Sequence, residues 1–246
     1  PLAGLVVVMD VETQQPLGLV EARTVTRLRT GAAGAVGARE LSREDSKAAL
    51  VVGLGDQGEA QVEGLLHVRP GIEKVVACGR NPAKTEAYVA KMALRYPKVR
   101  FEGIGFDRLP EQVSIADIVV TCTPSHKPFV EKPWIRPGTH VNAIGADLVG
   151  KQELDAGLLA SCRVVGDSRQ QVLRQGECQV AARMGLLDEG KVDEIGEILL
   201  GRKPGRSSPE EITVFDATGM AIQDILTAHL ALSRAEAEGL GSLVEI

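Results

Sequence analysis

Short apolar runs alternate with longer stretches of helical period over most of this chain. From Ser46 onward, "KAALVVG", "KVVACG", "VRFEGI", "ADIVVTCT", "THVNAIGA", "CRVVGD" and "ITVFDATG" are predicted strands. They are short and mostly apolar, rich in Val, Ile and Ala. The stretches between them, "QGEAQVEGLLHV", "NPAKTEAYVAKMALRY", "LPEQVSI", "QELDAGLLAS", "SRQQVLRQGE", "CQVAARMGLL" and "VDEIGEILLG", are predicted helices. Strands that are apolar on both faces need cover on both faces. The pattern therefore predicts an α/β fold with a parallel, doubly wound sheet between helices.

The two ends of the chain depart from that rhythm. Residues 4–10 and 17–21 are apolar runs separated by a polar turn, which predicts a hairpin. Residues 24–45 carry small residues at helical spacing and run into a charged linker, which predicts a helix. Its Gly31, Gly34 and Gly37 each lower helix propensity by about 1 kcal/mol, a loss that close packing or a ligand would offset. The last helix, "MAIQDILTAHLALSRAEAEG", has an apolar stripe through Ile222, Ile225, Leu226, Leu230 and Leu232.

Composition narrows the classes. The 246 residues suffice for one large or two smaller domains, and a hydrophobic fraction of 44% fits an ordinary globular protein. A net charge of −5 argues against nucleic-acid or anionic-membrane partners. No apolar run reaches the ~18 residues that span a bilayer. The first residues lack a basic segment and a long apolar stretch, so they do not read as a signal peptide. They also lack an initiator Met, and further residues are expected ahead of Pro1. Cys78, Cys122, Cys162 and Cys178 show no C-x-x-C spacing and read as reduced thiols of a cytoplasmic protein. The four histidines have no metal-ligand spacing, so no metal site is expected.

The chemistry begins at "VVGLGDQG". Gly53, Gly55 and Gly58 match G-x-G-x-x-G after a predicted strand and before a predicted helix, the setting of a dinucleotide site. There Gly53 allows the tight turn, Gly55 lets the backbone approach the pyrophosphate, and Gly58 lets helix and strand pack closely. The helix N-terminus then faces the anion. An acidic residue at the end of the next strand would bind the 2′-hydroxyl of NAD; here "VVACGRNP" offers Gly79, Arg80 and Asn81. Arg80 suits a phosphate, which favours NADP(H) over NAD(H), and Asn81 can donate as well as cap the next helix. A second constellation, "NAIGADLVGKQEL", follows another predicted strand. Asp147 falls just beyond that strand, where partial burial would let it exchange a proton with an amine or imine, and Lys151 follows four residues later. The alternative is that Asp147 caps a "KQELDAGLL" helix. Arg29, among small residues, is either a surface arginine or a fork for a carboxylate.

Taken together, "RTVTRLRTGAAGAVGARELSREDS", "VVGLGDQGEAQ", "ADIVVTCTPS", "NAIGADLVGKQEL" and "FDATGMAIQD" resemble the ornithine cyclodeaminase/mu-crystallin family. The resemblance implies a Rossmann-type domain, residues 46–216. It implies a second α/β domain from residues 1–45 and 217–246, which forms a homodimer interface. It places Arg29 on the substrate carboxylate and, with Thr30, near the cofactor, and it makes Asp147 the catalytic acid/base. Asp56 and Gln57 would contact the pyrophosphate. Thr121 and Thr123 would lie along the cofactor, Ile144 and Lys151 beside the nicotinamide, and Ala217 against the cofactor. Three departures stand out: Val149 where the family commonly has Pro, Ala217 where it commonly has Ser, and no N-terminal segment carrying a further basic pair. The implied activity is hydride transfer at the α-carbon of an amino or imino acid, foremost the reduction of a cyclic imine such as pyrroline-2-carboxylate. Ornithine cyclodeamination, alanine-type dehydrogenation and cofactor binding without turnover stay open.

Overall fold

The computed structural model describes residues 4–242. The chain starts with β1 (Leu5–Met9) and β2 (Pro16–Glu21), which pair antiparallel, and continues into α1 (Ala22–Leu41). Two compact units emerge: Pro1–Thr30 with Gly219–Ile246, and Gly31–Thr218. The division falls within α1. The sequence groups all of residues 1–45 with the smaller unit, yet Ala38 and Leu41 are buried in hydrophobic clusters of the larger one.

The larger unit is a parallel sheet with helical connections. Its elements are β3 (Ala48–Val52), α2 (Asp56–Val68), β4 (Lys74–Cys78), α3 (Pro82–Arg95), β5 (Arg100–Ile104), α4 (Leu109–Ile115) and β6 (Ile118–Thr121). Then come β7 (His126–Val130), β8 (His140–Ala143), β9 (Gln152–Leu154), α5 (Ala156–Leu159) and β10 (Arg163–Gly166). The unit closes with α6 (Arg169–Gln175), α7 (Cys178–Arg183), β11 (Asp193–Glu194), α8 (Ile195–Leu199) and β12 (Thr213–Asp216). The sheet order is β11-β10-β12-β8-β6-β3-β4-β5, and every pair is parallel. β3, β4 and β5 step outward, and the chain then returns to place β6 on the other side of β3. That reversal opens a crevice at the carboxyl ends of β3 and β6, where α/β sheets bind ligands.

The core explains why these runs are strands. Every residue of β6, β8 and β12 is buried, with large apolar clusters on both faces. The glycines of α1 pack as their spacing implied: a Cβ at Gly31 would stand 2.8 Å from the Ala60 carbonyl oxygen, and one at Gly37 would strike the Phe215 ring. Two stretches depart from the sequence pattern. "QELDAGLLAS" is not one helix: Gln152–Leu154 is a strand paired with β7, and Asp155 caps the short α5 by accepting from Gly157 N. Likewise β11 precedes α8 in "VDEIGEILLG". β7 itself was hidden, because "HKPFV" is polar at one end and contains Pro128, which fits only a small ladder outside the main sheet.

In the smaller unit, α9 (Ala221–Ala237) packs on the hairpin around Val8, Val25 and Ala228. Of the predicted stripe, Leu232 joins this cluster. Ile222, Ile225, Leu226 and Leu230, with Leu5 and Leu19 on the hairpin, remain 40–66% exposed. No helix among the described residues is long and apolar enough to cross a membrane.

Candidate active site

The glycine turn forms as its spacing requires. Gly53 leaves β3 with φ +108°, a conformation that favours glycine, and a Cβ there would stand 2.5 Å from the Cys122 carbonyl oxygen. A Cβ at Gly58 would strike the Gly53 carbonyl oxygen, and Tyr88 Oη donates to Gly58 O at 3.0 Å. Gly55 differs: nothing lies within 4 Å of its would-be Cβ. The protein itself does not require glycine there, so the open space belongs to whatever approaches. Gly55 is also the N-cap of α2, and no side chain caps that terminus. An uncapped helix N-terminus over open space suits an anion. Asp56 lies exposed in the first turn and Gln57 is half-buried behind it.

A cavity of about 650 Å³ opens from this turn. Gly53 and Gly55 form one wall, Gly79, Arg80 and Asn81 a second, and Thr123 a third. A dinucleotide's two phosphates and one ribose fit this donor set. Asn81 caps α3, accepting from Lys84 N at 3.1 Å through Oδ1, which leaves its amide nitrogen for a ligand. Arg80 is exposed and forms no hydrogen bond or ion pair among the described residues. The sequence did not single out Lys84 and Lys127, which add two more cations to the cavity wall. Lys84 was legible in principle: it is the third residue of a helix that starts at Pro82, and helical side chains lean toward the N-terminus. Lys127 was not, because it sits on β7. Cys78 and Cys122 also line the cavity. Burial pushes the Cys78 thiol up to about 12 and the Cys122 thiol higher still, so both stay protonated.

Within the larger unit, the other expected residues lie at the carboxyl ends of β6, β8 and β12. Thr123 follows β6, and its N–H and hydroxyl both donate to Glu153 Oε1 at 2.6 Å. Thr121 is fully buried, while Ile144 and Ala217 are 6% exposed; none of the three lines the cavity. Their backbones close the strand ends, Ile144 N donating to Thr121 O and Ala217 N to Ala143 O. Asp147 lies beyond β8 with 49% of its side chain exposed, paired to Lys151 Nζ at 2.5 Å. It is not a helix cap, and the partial burial expected of it is not supplied by the larger unit. In the smaller unit, Arg29 donates from Nε to Asp224 Oδ1 at 3.1 Å and from Nη1 to Gln223 Oε1 at 3.3 Å. The guanidinium is 16% exposed and occupies the space above Gly219, whose φ is +84°. Thr30, half-buried, is the last residue of that unit's first segment.

Residues 2–239 match the model of the ornithine cyclodeaminase/mu-crystallin family. The chain belongs to this family. An alanine dehydrogenase of Archaeoglobus fulgidus is 40% identical over 244 residues, 98% of this chain and 73% of that enzyme. Among solved structures of the family, an archaeal alanine dehydrogenase dimer with bound NAD superposes with a TM-score of 0.92 at 37% identity, covering 98% of this chain and 74% of that one. The Δ1-pyrroline-2-carboxylate reductase of Thermococcus litoralis, in complex with NADH and L-proline, gives a TM-score of 0.92 at 33% identity, covering 97% and 73%. These family members are oxidoreductases of amino or imino acids, and both solved relatives hold a nicotinamide dinucleotide.

Proposed function

We propose that this protein reduces the C=N bond of a cyclic imino acid, with pyrroline-2-carboxylate to proline as the reference reaction. The observation that carries this reading is a juxtaposition at one sheet edge. A glycine cradle with an uncapped helix N-terminus opens after β3, and beyond β8, on the far side of β6, stands an exposed carboxylate, Asp147, with its lysine partner. The likeness to a reductase holding NADH and L-proline supports it.

In this reading Gly53, Gly55, Asp56, Gln57 and Gly58 hold the pyrophosphate. Arg80, with Asn81 beside it, takes a ribose phosphate, so NADP(H) is preferred and NAD(H) accepted. Thr123 lines the way toward the nicotinamide, with Thr121, Ile144 and Ala217 at the strand ends behind it; when bound, the nicotinamide would exchange a hydride with the substrate's α-carbon. Asp147 delivers a proton to the imine nitrogen, and Lys151 holds that carboxylate in place between turnovers. Arg29, near Thr30, takes the substrate carboxylate, releasing Asp224 as it does so. The apolar residues exposed on β1, β2 and α9 are the proposed homodimer surface.

The test is a turnover assay with pyrroline-2-carboxylate and NADPH or NADH. Stoichiometric cofactor consumption with proline formation is expected; proline and ammonia from ornithine, without imine reduction, would overturn the reading in favour of a cyclodeaminase. Asp147→Asn should abolish turnover while leaving cofactor affinity near wild type. Arg80→Ala should weaken NADPH more than NADH, by about 1–3 kcal/mol for a charged hydrogen bond. Equal losses for the two cofactors would remove the basis for an NADP preference.

A further inference from the structure

The larger unit buries three carboxyl side chains, Glu153, Glu177 and Asp216, each 0% exposed, and no salt bridge reaches any of them among the described residues. Their partners are backbone amides. Glu153 Oε1 accepts from Thr123 N and Oγ1, both at 2.6 Å, and Oε2 accepts from Gly145 N at 3.0 Å. The Glu153 and Leu154 amides donate in turn to Glu177 at 2.7 and 3.0 Å, and Cys178 N donates to Asp216 Oδ2 at 3.1 Å. Buried carboxyl groups without a cation are costly, and three in series are not explained by stability alone.

What they join is informative. Thr123 leaves β6 and lines the dinucleotide cavity. Gly145 leaves β8 and stands two residues before Asp147. Asp216 ends β12, immediately before Ala217. A Cβ at Gly145 would stand 2.5 Å from the Glu153 carboxyl carbon and would also strike Thr123 O. Glycine at 145 is what lets one carboxylate reach both loops. Burial pushes the Glu153 carboxyl up, and these three hydrogen-bonded groups pull it back toward the ionised form.

We propose that Glu153 is a positioning residue: it fixes the loop carrying Asp147 against the loop carrying Thr123, and so sets the distance between proton donor and cofactor. The assignment rests on the reductase reading above. Glutamine at 153 would keep the shape but turn an N–H2 toward one of the two donor amides, so one loop must come loose.

Hydrogen exchange on the wild-type protein comes first. The amides of Thr123 and Gly145 should exchange as slowly as strand amides although both lie in loops; fast exchange would overturn the proposal without any variant. In Glu153→Gln, exchange over residues 122–125 and 144–148 should rise at least tenfold, kcat should fall at least tenfold, and KM for the imino acid should stay within threefold. A variant that melts earlier but turns over at the wild-type rate at 20 °C would show a role in stability only, and would also overturn it. If the wild-type protein reduces no cyclic imine, the reductase reading fails, yet exchange at the two loops still decides whether Glu153 clamps them.

Discussion

At the amino ends of the strands, arginines hold carbonyl groups. Arg69, 7% exposed, donates to the carbonyls of Ala38, Arg39, Ser42, Arg43 and Val68, closing the C-terminus of α1. Arg206 adds a bond to Leu41 O at 2.7 Å. At the carboxyl ends buried acids without a cation hold amide groups, with Glu153, Glu177 and Asp216 as the fixed points; the amino-end acid, Asp117, holds the Lys47 and Ala48 amides but is paired with Arg43 and Arg136. The two edges solve the same problem, since backbone groups must be satisfied where helices and strands end. They differ in what can change. A guanidinium stays charged at every relevant pH, so these arginine contacts are locked. A buried carboxyl can gain or lose a proton, so the edge that carries the candidate site is the adjustable one.

The largest expected effect breaks the locked edge. Arg69→Met removes five carbonyl contacts from a buried position and should destabilise the protein by about 3–5 kcal/mol, read by urea denaturation. A loss below 1 kcal/mol would show that water replaces the guanidinium, and that this edge is no more fixed than the other.

A smaller effect sharpens the contrast through pH. Burial raises the Asp216 carboxyl from the ordinary range to about 7. The folded state thus keeps a proton that the unfolded chain loses above pH ~4, and stability falls as pH rises from about 4 to 7. Asp216→Asn, which imitates the protonated form, should flatten that slope by up to about 1.4 kcal/mol per pH unit. At the amino edge His140 behaves oppositely. It is fully buried between Asn142 Oδ1 at 2.8 Å and Thr213 Oγ1 at 2.9 Å, and burial depresses it to about 3. Stability from its neutral state is complete above pH 6.5 and is lost as pH drops toward 3. His140→Gln should flatten the acid side of the curve, by less, because other carboxyl groups titrate in the same window. Identical pH curves for the three proteins would remove the distinction between the edges.

What the sequence disclosed follows from range. The glycine turn, the Asn81 cap and the strand–helix rhythm depend on residues within a few positions of one another, and all three are in the structure. The carboxylate clamp was not legible, because Thr123 and Glu153 are thirty residues apart in sequence and nothing local marks either as a partner. Arg29 read as either a surface arginine or a carboxylate fork; its partner Asp224 lies 195 residues away in sequence. In "KQELDAGLL" the apolar spacing fits a helix about as well as a strand followed by a turn. Pairing with β7 decides the issue, and β7 gave no pattern of its own.

The position of β12 sets an order of events. It is the last strand in the sequence, yet it lies inside the sheet, between β8 and β10. Until residues 213–216 arrive, both neighbours present unpaired edges, and the sheet exists as two separate halves. During synthesis the first half, β3 to β6 with β8, has all its own strands long before then. The second half must wait, and Asp216, which closes the row of buried acids, arrives with the strand that ends the waiting. Assembly of the sheet therefore finishes beside the candidate site, and a stall before residue 213 would leave the glycine turn already formed beside an unfinished row of buried carboxyls.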